Sequence, residues 1–145
     1  MPIIGVLLTL FVVVGALFSL DQRQQTTALR DAELQAQAGS LWVYRNQVSA
    51  YSESNPSYAG TVPDGALGLP QWYSKTPDLS NYLAGGRSYV YVSSPSPGLV
   101  SLLAQRSEAV TVGTNQGGLF YSVKSGNTGI ALPAQIPRGA AVVLQ

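Results

Sequence analysis

Residues 3 to 20 form an unbroken apolar run of eighteen positions without a charge, in which only Thr9 and Ser19 are conspicuously polar. Leu7, Leu8, Leu10, Phe11, Val12, Val13, Val14, Leu17 and Phe18 would surround a helix on all sides, leaving no polar face of the kind an amphipathic surface helix shows. At 1.5 Å per residue the run spans about 27 Å, close to the roughly 30 Å hydrocarbon core of a bilayer. The pattern predicts a transmembrane helix over residues 1–20. Val14-Gly15-Ala16 keeps open a cleaved signal peptide, because small residues stand there at the spacing of a cleavage site. The absence of Lys or Arg ahead of the run, and its length, count against that alternative. Burial as the core helix of a soluble oligomer is the third reading. Asp21 and Arg23 nearly cancel after the run, so charge does not set its orientation.

From Asp21 the pattern changes but stays helical. Up to about Ser52 there is no proline and one glycine, Gly39, among residues rich in Gln, Ala, Leu, Arg and Glu. Leu34, Ala38, Leu41, Tyr44, Val48 and Tyr51 recur at spacings of three, four and seven, which puts them on one helical face. Ala28, Leu29 and Ala32 extend the stripe weakly. The sequence predicts one long helix: a polar helical stalk over 21–40, a break near Gly39-Ser40 left open, and a second half from Leu41 to Tyr51 packed on a sheet. Asn55-Pro56 ends it.

Residues 56 to 78 carry Pro56, Gly60, Pro63, Asp64-Gly65, Gly68, Pro70 and Pro77 and read as a loop. Leu67, Leu69, Trp72 and Tyr73 within it predict a loop packed down on the domain. Thr76-Pro77 has the form of an N-cap with proline at the first helical position, predicting a short helix over Asp78 to Ala84 closed by Gly85-Gly86. Ser88 to Ser93 alternates as a strand, Tyr89 and Tyr91 on one face, Val90 and Val92 on the other. Leu99 to Arg106 returns to the helical period with Leu99, Leu102 and Leu103 inward. Strands are expected at Ala109–Thr114, Gly118–Lys124, Gly129–Leu132 and Ala140–Leu144, with Asn115-Gln116-Gly117 and Ser125-Gly126-Asn127 as hairpin links. The fold class is α+β: a long N-terminal helix on a small antiparallel sheet, with residues 41–145 as one domain.

Composition narrows the chemistry. Charged residues make up 10% of the 145, and the net charge is +1. Scattered Lys and Arg give no footprint for nucleic acid. The chain has no histidine and no cysteine, which removes Ser-His-Asp and Cys-His machinery, histidine bases and disulfides. Gly85-Gly86 and Gly117-Gly118 belong to no phosphate-binding loop. Asp64 and Asp78 have turn and helix-start roles, and neither Lys75 nor Lys124 has the S-x-x-K spacing of a Ser–Lys hydrolase. No catalytic, cofactor-binding or metal-binding residue is expected, no cofactor and no small-molecule substrate. Trp42, Tyr44, Tyr51, Tyr58, Trp72, Tyr73, Tyr82, Tyr89, Tyr91 and Tyr121 could line a groove for carbohydrate or peptide, although core and interface filling is the reading preferred. Arg45 either pairs with a carboxylate inside the packed face or is exposed.

This layout resembles the type IV pilin class. The basic leader ending in glycine, and the glutamate five residues into the apolar run, have no counterpart here. The reading therefore expects an anchor that stays in place, not a processed major pilin. The stretch from Leu41 to Tyr51, then Asn55-Pro56, Gly60 to Asp64, and Leu67-Gly68-Leu69-Pro70-Gln71-Trp72-Tyr73, is similar to the PilM proteins of type IVb (thin) pilus operons on conjugative plasmids and genomic islands. The identically named actin-like ATPase is a different protein. The resemblance implies a non-enzymatic, single-pass inner-membrane component of pilus biogenesis with its C-terminal domain in the periplasm. Its implied partners are membrane lipid and other pilus assembly proteins, with a homo-oligomer left open. A minor pilin-like subunit of a fibre, and a secreted enzyme or binding module released by signal cleavage, are the alternatives.

Overall fold

The structure is a computed structural model that describes residues 2–107 and 111–145. It has the expected α+β architecture, a long N-terminal helix and a six-stranded antiparallel sheet. The first helix, α1 (Pro2–Ser54), has no break at Gly39. The chain divides into two compact units, Met1–Glu33 and Leu34–Gln145. In the first unit every described side chain of the apolar run is exposed, from Ile3 to Phe18, and so is Leu29.

The second unit holds the core. Ala38, Leu41, Tyr44 and Val48 are at most 1% exposed, the stripe set by their three- and four-residue spacing. They pack with Leu79, Leu83, Val90, Val112, Ala141 and Val143 on one face of the sheet and with Leu99 and Leu103 of the second helix, α2 (Leu99–Arg106). Each large apolar side chain removed from water here stabilises the fold by roughly 1.5–3 kcal/mol. Asn55 closes α1 by donating from its backbone and side-chain nitrogens to the Tyr51 carbonyl, at 2.9 and 3.0 Å. The Tyr51 and Tyr58 rings then meet edge to face at 5.4 Å as the chain turns back.

The six strands are β1 (Leu79–Ala84), β2 (Arg87–Val92), β3 (Val112–Gln116), β4 (Leu119–Ser122), β5 (Gly126–Ala131) and β6 (Ala141–Leu144), in the spatial order β1-β2-β6-β3-β4-β5. The C-terminal strand β6 is thus central, pairing Val90 with Val143 on one side and Val112 with Val143 on the other. The sheet's second face carries Tyr89, Tyr91, Phe120 and Val142, closed over by Leu132, Ile136 and Ala140 from the last loop.

The helix expected over Asp78 to Ala84 is instead strand β1. Its burial alternates with period two, Leu79, Asn81 and Leu83 inward. The glycines that read as a helix stop are a two-residue hairpin turn. Gly85 and Gly86 have φ of +59° and +75°, the pair of positive values such a turn requires. Asn115 is also not a turn residue. It lies in β3, is buried, and donates to the carbonyls of Ile136 and Pro137 at 2.9 and 3.1 Å while accepting from the Gly118 amide. The turn moves on to Gly117-Gly118. The first two residues of the strand expected at Ala109–Thr114 lie outside the described residues. Strand β5 starts at Gly126, three residues earlier than expected.

Both sheet edges are blunted. Gly60 bridges Leu83 of β1 through two backbone hydrogen bonds of 2.8 and 2.9 Å. On β5 the amides of Gly129 and Ile130 bond locally to the side chains of Asn127 and Thr128. Such devices keep an open row of amides and carbonyls from pairing with another chain.

Candidate interaction site

Two side-chain clusters on the second half of α1 involve the residues singled out from the sequence. The first fixes the loop of residues 55–78. Tyr44 is fully buried, and its hydroxyl accepts a hydrogen bond from Asn81 Nδ2 at 2.6 Å. The same hydroxyl lies 3.4 Å from Asp64 Oδ1, toward which it donates. Asn81 also bonds both backbone groups of Val62, accepting from its amide at 2.8 Å and donating to its carbonyl at 3.0 Å. One turn earlier on α1, the Tyr73 hydroxyl donates to the Ser40 carbonyl at 2.9 Å. Lys75 closes the group with an ion pair to Asp64 at 2.9 Å, its ammonium 5.5 Å from the Tyr44 ring centre. That pair is partly solvated and contributes no more than about 1 kcal/mol.

Desolvation raises the Tyr44 phenol from 10.0 to about 12, the Asn81 hydrogen bond opposing it and the Asp64 charge adding to it. Burial raises Tyr73 as well. A phenol whose folded pKa lies above its unfolded one contributes stability that is complete below pH 10. That stability disappears as pH rises toward 12, by roughly 2–3 kcal/mol for a shift of this size. Denaturant midpoints taken between pH 9 and pH 12 are expected to fall steeply in the native sequence. In Tyr44→Phe the fall is expected to be shallow, with Tyr73 supplying what remains. An unchanged slope in the variant would remove Tyr44 as its source.

The second cluster is a cleft. Trp42 and Arg45 stand one turn apart on α1, and the guanidinium carbon lies 4.9 Å from the indole ring centre. With Arg106 at the end of α2, Ser107 just after it and Thr111 just before β3, they line an open cleft of about 670 Å³. Arg106 donates to the Gln35 side chain. Arg45 is half-buried and makes no ion pair with any described residue, so neither expected setting, a carboxylate partner or full exposure, is found among them. Burial pulls its pKa below the usual arginine value, although a guanidinium stays charged at neutral pH. Its Nε, and the Trp42 indole Nε1, are shut off from water without an acceptor.

The remaining sequence candidates have structural places. Tyr89 and Tyr91 are buried in the sheet's second face, and Tyr51, Tyr58 and Tyr73 pack against the main core. Trp72 departs from the expectation of a fully packed-down loop. It is 76% exposed, while neighbouring Tyr73 takes the inward position against Ser40. No group of His, Cys, Asp or Glu side chains among the described residues could hold a metal ion.

A sequence profile of the PilM family matches residues 8–144. Among solved structures the chain is similar to one named a PilM protein from Pseudomonas aeruginosa 2192. Identity is 38%, with 78% of this chain and 95% of that chain covered, at a TM-score of 0.52. It is similar in fold to one named PilM from Escherichia coli B7A, at 24% identity, 80% and 94% coverage and a TM-score of 0.64. Comparison with curated proteins finds no match.

Proposed function

The chain belongs to the PilM family of pilus-related proteins, and from that membership we propose that it is a non-enzymatic, membrane-anchored component of pilus biogenesis. In this reading α1 crosses the bacterial inner membrane once over residues 1–20. Residues 21–40 form the helical stalk, and residues 41–145 work in the periplasm by binding other assembly proteins. The carrying observation is the wholly exposed apolar run from Ile3 to Phe18, continuous in one helix with the core stripe that begins at Ala38. Among the described residues this helix is the one long and apolar enough to cross a bilayer. Water would not tolerate such a surface, whereas lipid tails cover it without leaving a backbone polar group unpaired.

Alkaline carbonate extraction of cells expressing the full chain tests the anchor. The protein is expected in the membrane pellet, with residues 41–145 digested by protease only once the outer membrane is opened. Lysines at both Leu10 and Val13 are expected to release a large share, since each charge near a helix centre costs about 2.5–3.5 kcal/mol of insertion. Native protein found in the extract, or an N-terminus beginning just after Ala16, would overturn the anchor. The helix-on-sheet layout also suits a minor pilin-like subunit, a second reading that requires the protein to be present in sheared pili. Recovery from membranes without any pilus component would count against the assembly role itself.

A further inference from the structure

We propose that the cleft lined by Trp42, Arg45, Arg106, Ser107 and Thr111 is a docking site for the acidic side chain of a second polypeptide. This deepens the assembly reading by naming what a partner offers, and it stands on the chemistry of the cleft. Two arginines face one opening in a chain of net charge +1. Arg45 carries a half-buried charge with no counter-ion among the described residues, held against an indole face. A guanidinium in that state binds a carboxylate through two parallel N–H donors, the arrangement for which arginine differs from lysine. The Trp42 indole and Arg45 Nε both lack an acceptor.

The same surroundings select among anions. Arg106 is the last residue of α2, so the cleft lies beside a helix C-terminus, where the negative end of the helix dipole opposes a doubly charged group. A singly charged carboxylate meets less opposition than a phosphate dianion. The volume, about 670 Å³, far exceeds that of a lone inorganic ion, and Trp42 lines the opening beside the two arginines. An extended peptide segment bearing Glu or Asp fits these demands together. Half-buried arginine and tryptophan are also the residue types on which binding energy concentrates in interfaces.

The test uses the full chain in detergent micelles. The protein has two tryptophans, so Trp72→Phe leaves Trp42 as the sole indole reporter next to Arg45. The probes are a hexapeptide with two central glutamates flanked by phenylalanines, its glutamine counterpart, and inorganic phosphate at matched ionic strength. The glutamate peptide is expected to change Trp42 fluorescence saturably, and the glutamine peptide to bind at least about tenfold more weakly. Arg45→Gln is expected to lose a similar factor and Arg45→Lys to recover only part of it. If Arg45→Gln does not fold, Arg106→Gln serves as the second variant and is expected to weaken the glutamate peptide too. Equal binding of the two peptides, phosphate binding as well as the glutamate peptide, or full affinity in the arginine variants would overturn the proposal. None of these outcomes bears on recovery with pilus components from membranes, so the assembly reading can fail or survive separately.

Discussion

Replacing Gly113 with alanine is expected to disrupt the sheet. A Cβ at this position would sit 2.0 Å from the backbone oxygen of Tyr121, 2.7 Å from its carbonyl carbon and 2.9 Å from Cε2 of Phe120. The first two atoms belong to the neighbouring strand β4, so no side-chain rotation relieves the overlap. Strand β3 cannot retreat either. On its other side it pairs with β6, Gly113 opposite Val142 and Thr114 opposite Ala141, and β6 is the centre of the sheet. Relief requires β3 and β4 to separate and the Phe120 ring to leave its buried seat. A clash of this kind belongs to the tail of substitution effects, about 4 kcal/mol or more, against a total stability of about 5–15 kcal/mol for a domain. The contrast is Gly39→Ala. Gly39 is helical and has nothing within 4 Å of its would-be Cβ, so alanine is expected to stabilise by roughly 0.5–1 kcal/mol. Urea titrations of the full chain would read both changes. A Gly113→Ala variant within about 1 kcal/mol of the native chain would mean that β3 and β4 do not approach as described.

The elements legible from sequence are those whose local pattern and tertiary environment agree. The α1 stripe could be read because its positions are almost purely apolar at helical spacing, and Ala38, Leu41, Tyr44 and Val48 are indeed buried. Strand β2 and helix α2 were legible for the same reason, down to the bounds of α2. Strand β1 was not, because its central inward position is Asn81. A polar residue there masks the alternation of Leu79 and Leu83, and Thr76-Pro77 supplied a persuasive but unused helix start. What makes the position tolerable is the backbone of Val62, nineteen residues earlier, which no local pattern announces. Asn115 misled in the same way, its partners lying on the loop that precedes β6.

The cleft was half legible. Arg45 stood out as a charge on an apolar helix, but its setting depends on Arg106 and Thr111, brought beside it only by the packing of α2 and β3. The anchor carried the strongest local signal of all, and the family match extends from residue 8, inside the apolar run, to residue 144. The matched region therefore includes most of that run as well as the sheet. On the proposed reading the second unit has two distinct tasks. The Tyr44–Asn81 cluster holds the loop of residues 55–78 against α1, while Trp42 and Arg45, on another face of the same helix, are left open to a partner. Substitutions in the first cluster should act through stability, and those in the second through binding.

Asn81→Ala separates these two roles most sharply. The side chain is fully buried and makes three hydrogen bonds, two to the backbone of Val62 and one to the Tyr44 hydroxyl. Alanine leaves all three partners buried, and each unsatisfied group costs about 1–3 kcal/mol. Allowing for relaxation, the expected loss is about 3–4 kcal/mol. Tyr44→Phe removes only the hydroxyl, since Asn81 keeps both bonds to Val62, and should cost about 1 kcal/mol. The two changes share a partner, so the double variant is expected to be more stable than their sum predicts by about 1 kcal/mol. The effect also has a location. Asn81 and the Gly60–Leu83 bridge together cover the outer edge of β1, so amide exchange is expected to accelerate first at Val62 and Leu83. An uncovered edge is free to pair with another chain, and Asn81→Ala should therefore self-associate below its unfolding midpoint while its cleft still binds the acidic peptide. A variant with native exchange rates at Val62, and a loss below about 1 kcal/mol, would show that this asparagine does not hold the loop to the sheet.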